Sequence, residues 1–161
     1  MAQERKVYDF ASVGNLPNVS KAVENPGGDH GPIGIATPMR LSSKAGTLFE
    51  MHTDISKQIR DNFRNMISTN KGERLMLGDF GANLKPLAYE LGTDSGDAAA
   101  ISAIATVTSK YMPYVSLQTF ESLKEESTDG SLARIGVRVT FTVPSLGVGP
   151  QTVEAIILSA G

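Results

Sequence analysis

The chain has 161 residues, with 15 basic and 17 acidic side chains, a formal net charge of −2, and neither cysteine nor tryptophan. Balanced charge with scattered cations argues against nucleic acid as a partner, because phosphate binding needs a concentrated basic surface. The lack of cysteine excludes disulfides and cysteine-ligated zinc. No apolar run approaches the ~20 residues that span a bilayer, so no membrane partner is expected.

Residues 1–33 are predicted to form an extended N-terminal arm, and residues 34–161 the folded domain. Between Asn25 and Pro32 the chain is rich in glycine and almost without apolar residues. Such a stretch cannot bury enough surface to offset the entropy lost on ordering. An apolar cluster, Val7 to Leu16, precedes it. The cluster is either a docking segment for a partner or a strap on the protein's own core, and the sequence leaves both open.

About three helices are predicted after residues 34–51, which form either a short hairpin or a strap into the first helix. Thr53 or Asp54 can cap the first helix, which is expected to end at Gly72. Its apolar residues recur every three or four positions and form one buried stripe: Ile55, Ile59, Phe63, Met66 and Ile67. A short second helix is predicted over 84–91 with Pro86 in its first turn, and a third over 97–111. The residues of the third helix expected to face inward are Ala98, Ile101, Ile104, Ala105, Thr108 and Tyr111.

The last third is predicted to be β structure, with strands over 115–123, 133–143 and 151–158. The middle strand has the clearest alternation of apolar and polar residues: Ala133, Ile135, Val137, Val139, Phe141 and Val143 are its apolar set. Helices first and strands last predict an α+β fold: about three helices followed by a small antiparallel β meander, with the extended N-terminal arm.

No residue set in the sequence predicts catalysis, a cofactor or a metal site. His30 and His52 have no ligand-spaced partners. Glu50 and Glu73 are the only remotely suitable pair of carboxylates for glycoside cleavage, and no aromatic residues that could stack on a sugar flank them. The sequence therefore predicts that the protein is not an enzyme, and a lysozyme-like activity is rejected.

The most informative motif lies between Ile67 and Glu90. Gly72-Glu73-Arg74 begins three residues after Thr69, and Phe80-Gly81 follows a few residues later. This resembles the gene-25-like baseplate wedge family of contractile-tailed phages, in which Thr-x-x-Gly-Glu-Arg ends a helix and Pro-x-Phe-Gly follows. Gly78 stands where the family usually has proline. The resemblance extends from about residue 33 to the end of the chain.

Two interpretations of Glu73 and Arg74 remain, with a structural role favoured over direct contact with a partner. In the first they pair locally or bond to backbone at the surface of the turn; in the second they form a buried pair in which the planar guanidinium of Arg74 satisfies backbone carbonyls. Phe80 is expected to fill the core. Gly81 is expected to allow a backbone conformation that other residues resist.

The resemblance implies a structural baseplate wedge subunit of a contractile phage tail, one that joins the wedge to the first sheath ring and initiates sheath polymerisation by strand addition. Its implied partners are other baseplate wedge proteins and the sheath protein of the first ring, in a six-fold assembly. Its implied location is the tail baseplate of the virion, with the host cytoplasm as the place of assembly. The alternatives are a type VI secretion baseplate component and an anti-adaptor-like protein-binding module of the same fold.

Two segments are candidate contact surfaces. Met112-Pro113-Tyr114 stands where the family has Glu-Pro-Arg, which is thought to touch the core of the wedge; alternatively Met112 and Tyr114 seal the helix end. The final strand is expected to lie at a sheet edge and lacks the lysine or proline that usually protects such edges. Its sheath-contact candidates are Gln151, Val153, Ala155, Ile156, Ile157 and Leu158.

Overall fold

The computed structural model describes residues 31–43, 47–126 and 132–159. The chain divides into two compact units between Ile55 and Ser56. The apolar cluster Val7 to Leu16, and nearly all of the predicted arm, lie outside the described residues, so the arm and its boundary stay predictions. Among the described helices, none combines the length and apolar character needed to cross a membrane.

The first unit contains a small antiparallel hairpin, one of the two forms that the sequence left open for this segment. Strand β1 (Gly34–Ile35) pairs with strand β2 (Met51–His52). A single bridge between Leu41 and Phe49 continues the pairing toward the turn. Backbone hydrogen bonds link the two limbs, including one of 2.9 Å from the N–H of Glu50 to the carbonyl of Arg40. The pairing satisfies backbone groups that an isolated chain would leave to water.

The second unit carries both α-helices and a three-stranded sheet. Helix α1 (Ile55–Ser68) leads through a long turn to a 3₁₀ helix (Lys85–Leu87) and then to helix α2 (Asp94–Tyr111). Strands β3 (Ser116–Glu126), β4 (Leu132–Val143) and β5 (Val148–Ser159) follow, with a 3₁₀ helix (Pro144–Leu146) before the last. The sheet is antiparallel with the order β3-β4-β5, so β5 lies at an edge.

The core lies between the helices and one face of the sheet. Along β4 every second side chain is buried, as the alternation predicted: Ile135, Val137, Val139, Phe141 and Val143. On α1 the predicted stripe is also buried from Ile59 to Ile67, although Ile55 remains 42% exposed. The rings of Phe63 and Phe141 join the two elements, with centroids 4.4 Å apart. Large aromatic side chains buried in this way supply much of the apolar burial that holds a domain together.

The predicted fold, about three helices followed by one meander, is wrong in two respects. The described residues form two α-helices and two sheets, because the hairpin β1–β2 is a sheet separate from β3-β4-β5. The segment predicted as a short helix over 84–91 forms a 3₁₀ helix, closed by bonds such as that from the N–H of Ala88 to the carbonyl of Lys85, at 3.2 Å. A segment this short cannot offset the cost of nucleating an α-helix, and tighter turns serve instead.

Two further boundaries differ from the sequence prediction. Helix α1 ends at Ser68, four residues before Gly72, because the chain already turns at Asn70. Helix α2 begins at Asp94, earlier than predicted, where the hydroxyl of Thr93 accepts a hydrogen bond from the N–H of Gly96 at 3.1 Å.

The buried face of α2 also differs from the predicted one, and consists of Gly96, Ala100, Ile104, Val107 and Thr108. Ile101 is 47% exposed, contrary to prediction, and Ala98 and Ala105 are exposed too. Alanines surround the helix on several sides, and their small apolar area marks no face clearly.

Candidate interaction site

The turn after α1, residues 69–81, is organised around Asn70 and Glu73. The Glu73 carboxylate accepts hydrogen bonds from the backbone N–H and the side-chain amide of Asn70, both at 2.8 Å. Lys85 adds two bonds at 3.3 Å: its ammonium donates to Glu73, and its backbone N–H donates to the Asn70 side chain. Sequence reasoning missed Asn70 and Lys85. The Asn-x-x-Glu spacing, which is that of a capping box, is the signal that could have found the first.

These donors hold the pKa of Glu73 at about 2, against an ordinary 4.5. The backbone hydrogen bond from Asn70 is the largest cause, followed by the bond from the Asn70 side chain. Glu73 is therefore ionised at neutral pH and acts as a fixed acceptor that closes the turn.

Arg74 lies at the surface, so the expectation of a buried guanidinium that satisfies backbone carbonyls is wrong. Its guanidinium carbon stands 3.9 Å from the centroid of the Phe80 ring, a stacking contact. No ion pair joins Arg74 to Glu73 in the described part of the chain, since Glu73 is paired with Lys85. The arrangement leaves the guanidinium available to solvent on its outer side.

Phe80 and Gly81 fix how the turn returns to the core. Phe80 is partly buried against the core, and its ring meets that of Tyr111 edge-on, with centroids 5.0 Å apart. Gly81 has φ of +105°, and a Cβ there would lie 2.2 Å from the carbonyl oxygen of Thr69. Only glycine fits this approach without moving the backbone.

Asp79 ties the turn to the end of α2. Its carboxylate pairs with the ammonium of Lys110 and accepts a 2.6 Å hydrogen bond from the hydroxyl of Tyr111. The hydrogen bond from Lys110 is the largest cause that lowers the pKa of Asp79 from 3.8 to about 2. The contact spans about thirty residues of sequence, so no local pattern could have predicted it.

The turn and the helix-end tripeptide, predicted separately, line one open groove of about 280 Å³. Asn62, Asn65 and Met66 of α1 form one side, and Arg74 and Phe80 of the turn form another. The end of α2 contributes the rest: Tyr111, Met112 and Tyr114.

Of the wedge-contact candidates, Met112 is buried at 5% exposure and belongs to the core, whereas Pro113 is exposed and Tyr114 is 43% exposed. Burial raises the pKa of the Tyr114 hydroxyl. The groove combines apolar and aromatic side chains with the amide groups of Asn62 and Asn65 and one cation, Arg74.

The sheath-contact candidates divide between the two faces of β5. Val153 and Ala155 are buried at 1% and 3% exposure, so their side chains belong to the core. Ile156 and Leu158 point to the other side and are 57% and 37% exposed. Gln151 and Ile157 are partly buried, and a register shift in the pairing with β4 leaves Ile157 without a partner residue. Only the backbone edge and alternate side chains of β5 can therefore meet a partner.

None of the described residues that were considered for chemistry is among those lining the groove. His52 is in β2, and His30 falls outside the described residues. Glu50 belongs to the first unit and Glu73 to the second. Where the structure describes side chains, no group of three metal-ligating residues occurs.

Two solved structures share the fold of this chain. No family model matches the sequence, and no curated protein matches it either. A chain of the anti-feeding prophage baseplate, solved by electron cryo-microscopy with six-fold symmetry, superposes with a TM-score of 0.54. It is 19% identical, over 68% of this chain and 82% of its own. The crystal structure of a "putative tail lysozyme" from Geobacter sulfurreducens gives a TM-score of 0.53 and 16% identity, over 67% of this chain and 94% of its own.

These likenesses show the fold. The resemblance that the Gly-Glu-Arg and Phe-Gly motifs predicted is confirmed at that level, because a baseplate chain shares the architecture. The prediction that the chain is not an enzyme is corrected. A protein of the same fold carries the name of a tail lysozyme, so the lack of flanking aromatic residues and tryptophan was not sufficient ground for rejecting such an activity.

Proposed function

We propose that the protein is a baseplate subunit of a contractile tail, and that it joins the wedge to the first sheath ring and starts sheath polymerisation by accepting a strand at β5. The observation that carries this proposal is the position of β5, a twelve-residue strand at the open edge of a sheet. Edge strands present unpaired N–H and C=O groups to which another chain can add. The fold shared with an anti-feeding prophage baseplate chain supports the general setting.

The charges of β5 support the proposal further. Proteins usually protect edge strands with charged side chains that repel a second strand. Proline serves the same purpose, and β5, which starts earlier than predicted, includes Pro150 near its beginning. Glu154 is the only charged residue of β5, and it turns toward Arg138 of β4, with 2.7 Å between the guanidinium and the carboxylate. Arg138 also pairs with Glu121 of β3 at 3.0 Å. The one charge on the strand is thus engaged within the sheet, while Ile156 and Leu158 add exposed apolar side chains to the edge.

The wedge is proposed to contact the groove lined by α1, the turn and the end of α2. Arg74, Phe80 and Tyr114 line this groove, and its floor includes Met112. The wedge contact that the resemblance implied for Met112-Pro113-Tyr114 would then be made by Pro113 and Tyr114 at the surface, with Met112 supporting them from the core.

The proposal is tested by a proline scan from Thr152 to Ile156. Along an antiparallel edge strand, N–H groups point alternately toward the neighbouring strand and away from it. Proline at a position whose N–H points toward β4 should break the β4–β5 pairing and lower the melting temperature. Proline at a position whose N–H points away from β4 should leave the protein folded. Folded variants, with Ile156→Pro the first to make, should give baseplates that carry no sheath around the tail tube, as seen by negative-stain microscopy.

The matched control is Ile156→Thr, which removes apolar surface but keeps the N–H group and a good strand former. Sheaths should still form on baseplates with this variant. Sheaths of normal length on particles with every folded proline variant would refute β5 as the initiating edge. Mass spectrometry of purified particles separates the alternatives: a chain found in secretion-system baseplates supports that assignment, and a chain absent from all such particles favours the anti-adaptor class.

A further inference from the structure

The turn between Gly72 and Gly78 exposes two neighbouring apolar side chains completely. Leu75 is 95% exposed and Met76 is 102% exposed, the largest values for any described hydrophobic residue. Single exposed apolar residues are common on protein surfaces and need no explanation. Two adjacent ones at the outermost point of a turn, hereafter the tip, form a small apolar projection that the fold leaves in water.

The tip is held in place rather than left loose. The N–H of Gly72 donates to the carbonyl of Gly78 at 2.8 Å and closes the base of the turn. The N–H of Phe80 bonds to the carbonyl of Leu77 at 3.0 Å, and Glu73 is braced as described above. Both ends of the tip are therefore anchored to structured parts of the second unit.

Met76 has a backbone conformation that its side chain disfavours. Its φ is +65°, in the left-handed region where glycine or asparagine would cost less. Nothing in the described residues covers its side chain, so intramolecular packing does not account for a methionine here. A strained residue that the fold does not need points to a role outside the fold.

The turn carries charges of both signs, and among its described residues only the two cations lack an ion pair. The acidic residues of the turn, Glu73 and Asp79, are engaged by Asn70, Lys85, Lys110 and Tyr111. Lys71 and Arg74 are exposed, and within the described ranges neither forms an ion pair. The tip thus presents two apolar side chains beside two available cations, one of them fixed over Phe80.

We infer that Leu75 and Met76 insert into an apolar pocket of a neighbouring protein subunit, and that acidic side chains on the rim of that pocket face Lys71 and Arg74. A shaped protein pocket suits two side chains held in one fixed geometry, because preorganisation lowers the cost of binding. A membrane surface instead rewards a broad apolar face with many cations. The inference rests on the proposed function only in naming the partner as a subunit of the tail assembly.

The test compares full-length variants for stability and for incorporation into tails. Met76→Asn keeps a residue that tolerates positive φ but removes the apolar group, and Leu75→Ser removes the other. Both should melt at the wild-type temperature or above, and both should be incorporated about tenfold less or worse. Ile101→Ser, at the 47% exposed apolar position on α2, is the matched control and should be incorporated normally. Normal incorporation of both tip variants would overturn the inference.

A photo-crosslinking amino acid in place of Met76 identifies what covers the tip. The expected product joins position 76 to one protein, at apolar residues flanked by aspartate or glutamate, and Arg74→Glu should reduce its yield. Sedimentation with phosphatidylcholine–phosphatidylglycerol vesicles tests the lipid alternative, and binding lost in Met76→Asn would overturn the protein pocket. If the wild-type protein is absent from tails, the proposed function fails, and the crosslink alone tests the inference about the tip. A crosslink mapped to an apolar pocket of another protein supports that inference, and the absence of any crosslinked product refutes it.

Discussion

Gly81→Ala should be the most damaging small substitution in the turn, and Gly72→Ala is its matched control. Both glycines have positive φ, +105° at Gly81 and +85° at Gly72. At Gly72 a Cβ would meet nothing within 4 Å, whereas at Gly81 it would lie 2.2 Å from the oxygen and 2.7 Å from the carbonyl carbon of Thr69. The obstacle is backbone, which cannot rotate aside, so the chain itself must shift.

The expected magnitudes follow from these contacts. Left-handed backbone costs an alanine ~1–2 kcal/mol at either position, offset by ~0.5–1 kcal/mol from the restricted unfolded chain. At Gly81 the forced shift adds ~1–3 kcal/mol. It also threatens the 3.3 Å bond from the N–H of Asn83 to the carbonyl of Thr69, at about 1 kcal/mol. Gly81→Ala should therefore cost about 3–5 kcal/mol, and Gly72→Ala about 1 kcal/mol.

Urea denaturation measures both free energies of unfolding, and the slope against urea should match the wild type if both variants keep the same fold. The decisive quantity is the difference between the two alanine variants. A difference below about 1 kcal/mol would refute the close approach of Gly81 to Thr69 and, with it, the described path of the turn.

Two further outcomes are expected. Arg74→Ala should cost only ~0.5–1 kcal/mol, the value of an exposed cation–π contact with Phe80, with a fall of about 2–4 °C in melting temperature per kcal/mol; a loss above ~2 kcal/mol would contradict the surface position of Arg74. Glu73 and Asp79 have pKa values of about 2, below the ordinary 4.5 and 3.8, so their stabilisation is present above those ordinary values and lost as pH falls toward 2. Glu73→Gln and Asp79→Asn should each flatten the decline of the urea midpoint below about pH 4.5, and an unchanged acid limb would contradict the hydrogen bonds assigned to them.

Periodicity predicted the parts of the fold in which large apolar residues mark one face. The alternation along β4 and the stripe of α1 from Ile59 to Ile67 are both confirmed, because burial on one side of a regular element leaves a clear period in sequence. The same reasoning failed on α2. There the inner face is partly made by Gly96 and Ala100, and Ile101 lies outside. Gly96 lies so close to Glu90 that a Cβ there would be 2.1 Å from the Glu90 carbonyl oxygen, and no hydropathy pattern records such a contact.

The sequence predicted several residues of the candidate site, but it did not predict that they lie together in one groove. Gly-Glu-Arg and Met112-Pro113-Tyr114 were separate motifs, and the fold brings Arg74 of the first and Met112 and Tyr114 of the second to one groove. Pairing along the chain made Arg74 the natural partner of Glu73. In the structure Glu73 instead binds Asn70 and Lys85, and Arg74 stacks on Phe80. Which of several nearby donors satisfies a carboxylate depends on the path of the turn, which sequence spacing does not determine.

The turn therefore has an inner and an outer half with different physical demands. Asn70, Glu73 and Gly81 hold the path of the turn through hydrogen bonds and close backbone packing, and replacing them should change the free energy of unfolding. Leu75 and Met76 face outward, where a substitution changes little in the isolated protein and should act only when a partner is present. Resemblance to a family does not show which residues of the motif stabilise the fold and which contact a partner. Measuring the free energy of unfolding and the incorporation into tails on the same variants assigns each residue to one role. A substitution at a structural residue changes both quantities, whereas a substitution at an interface residue changes only the incorporation.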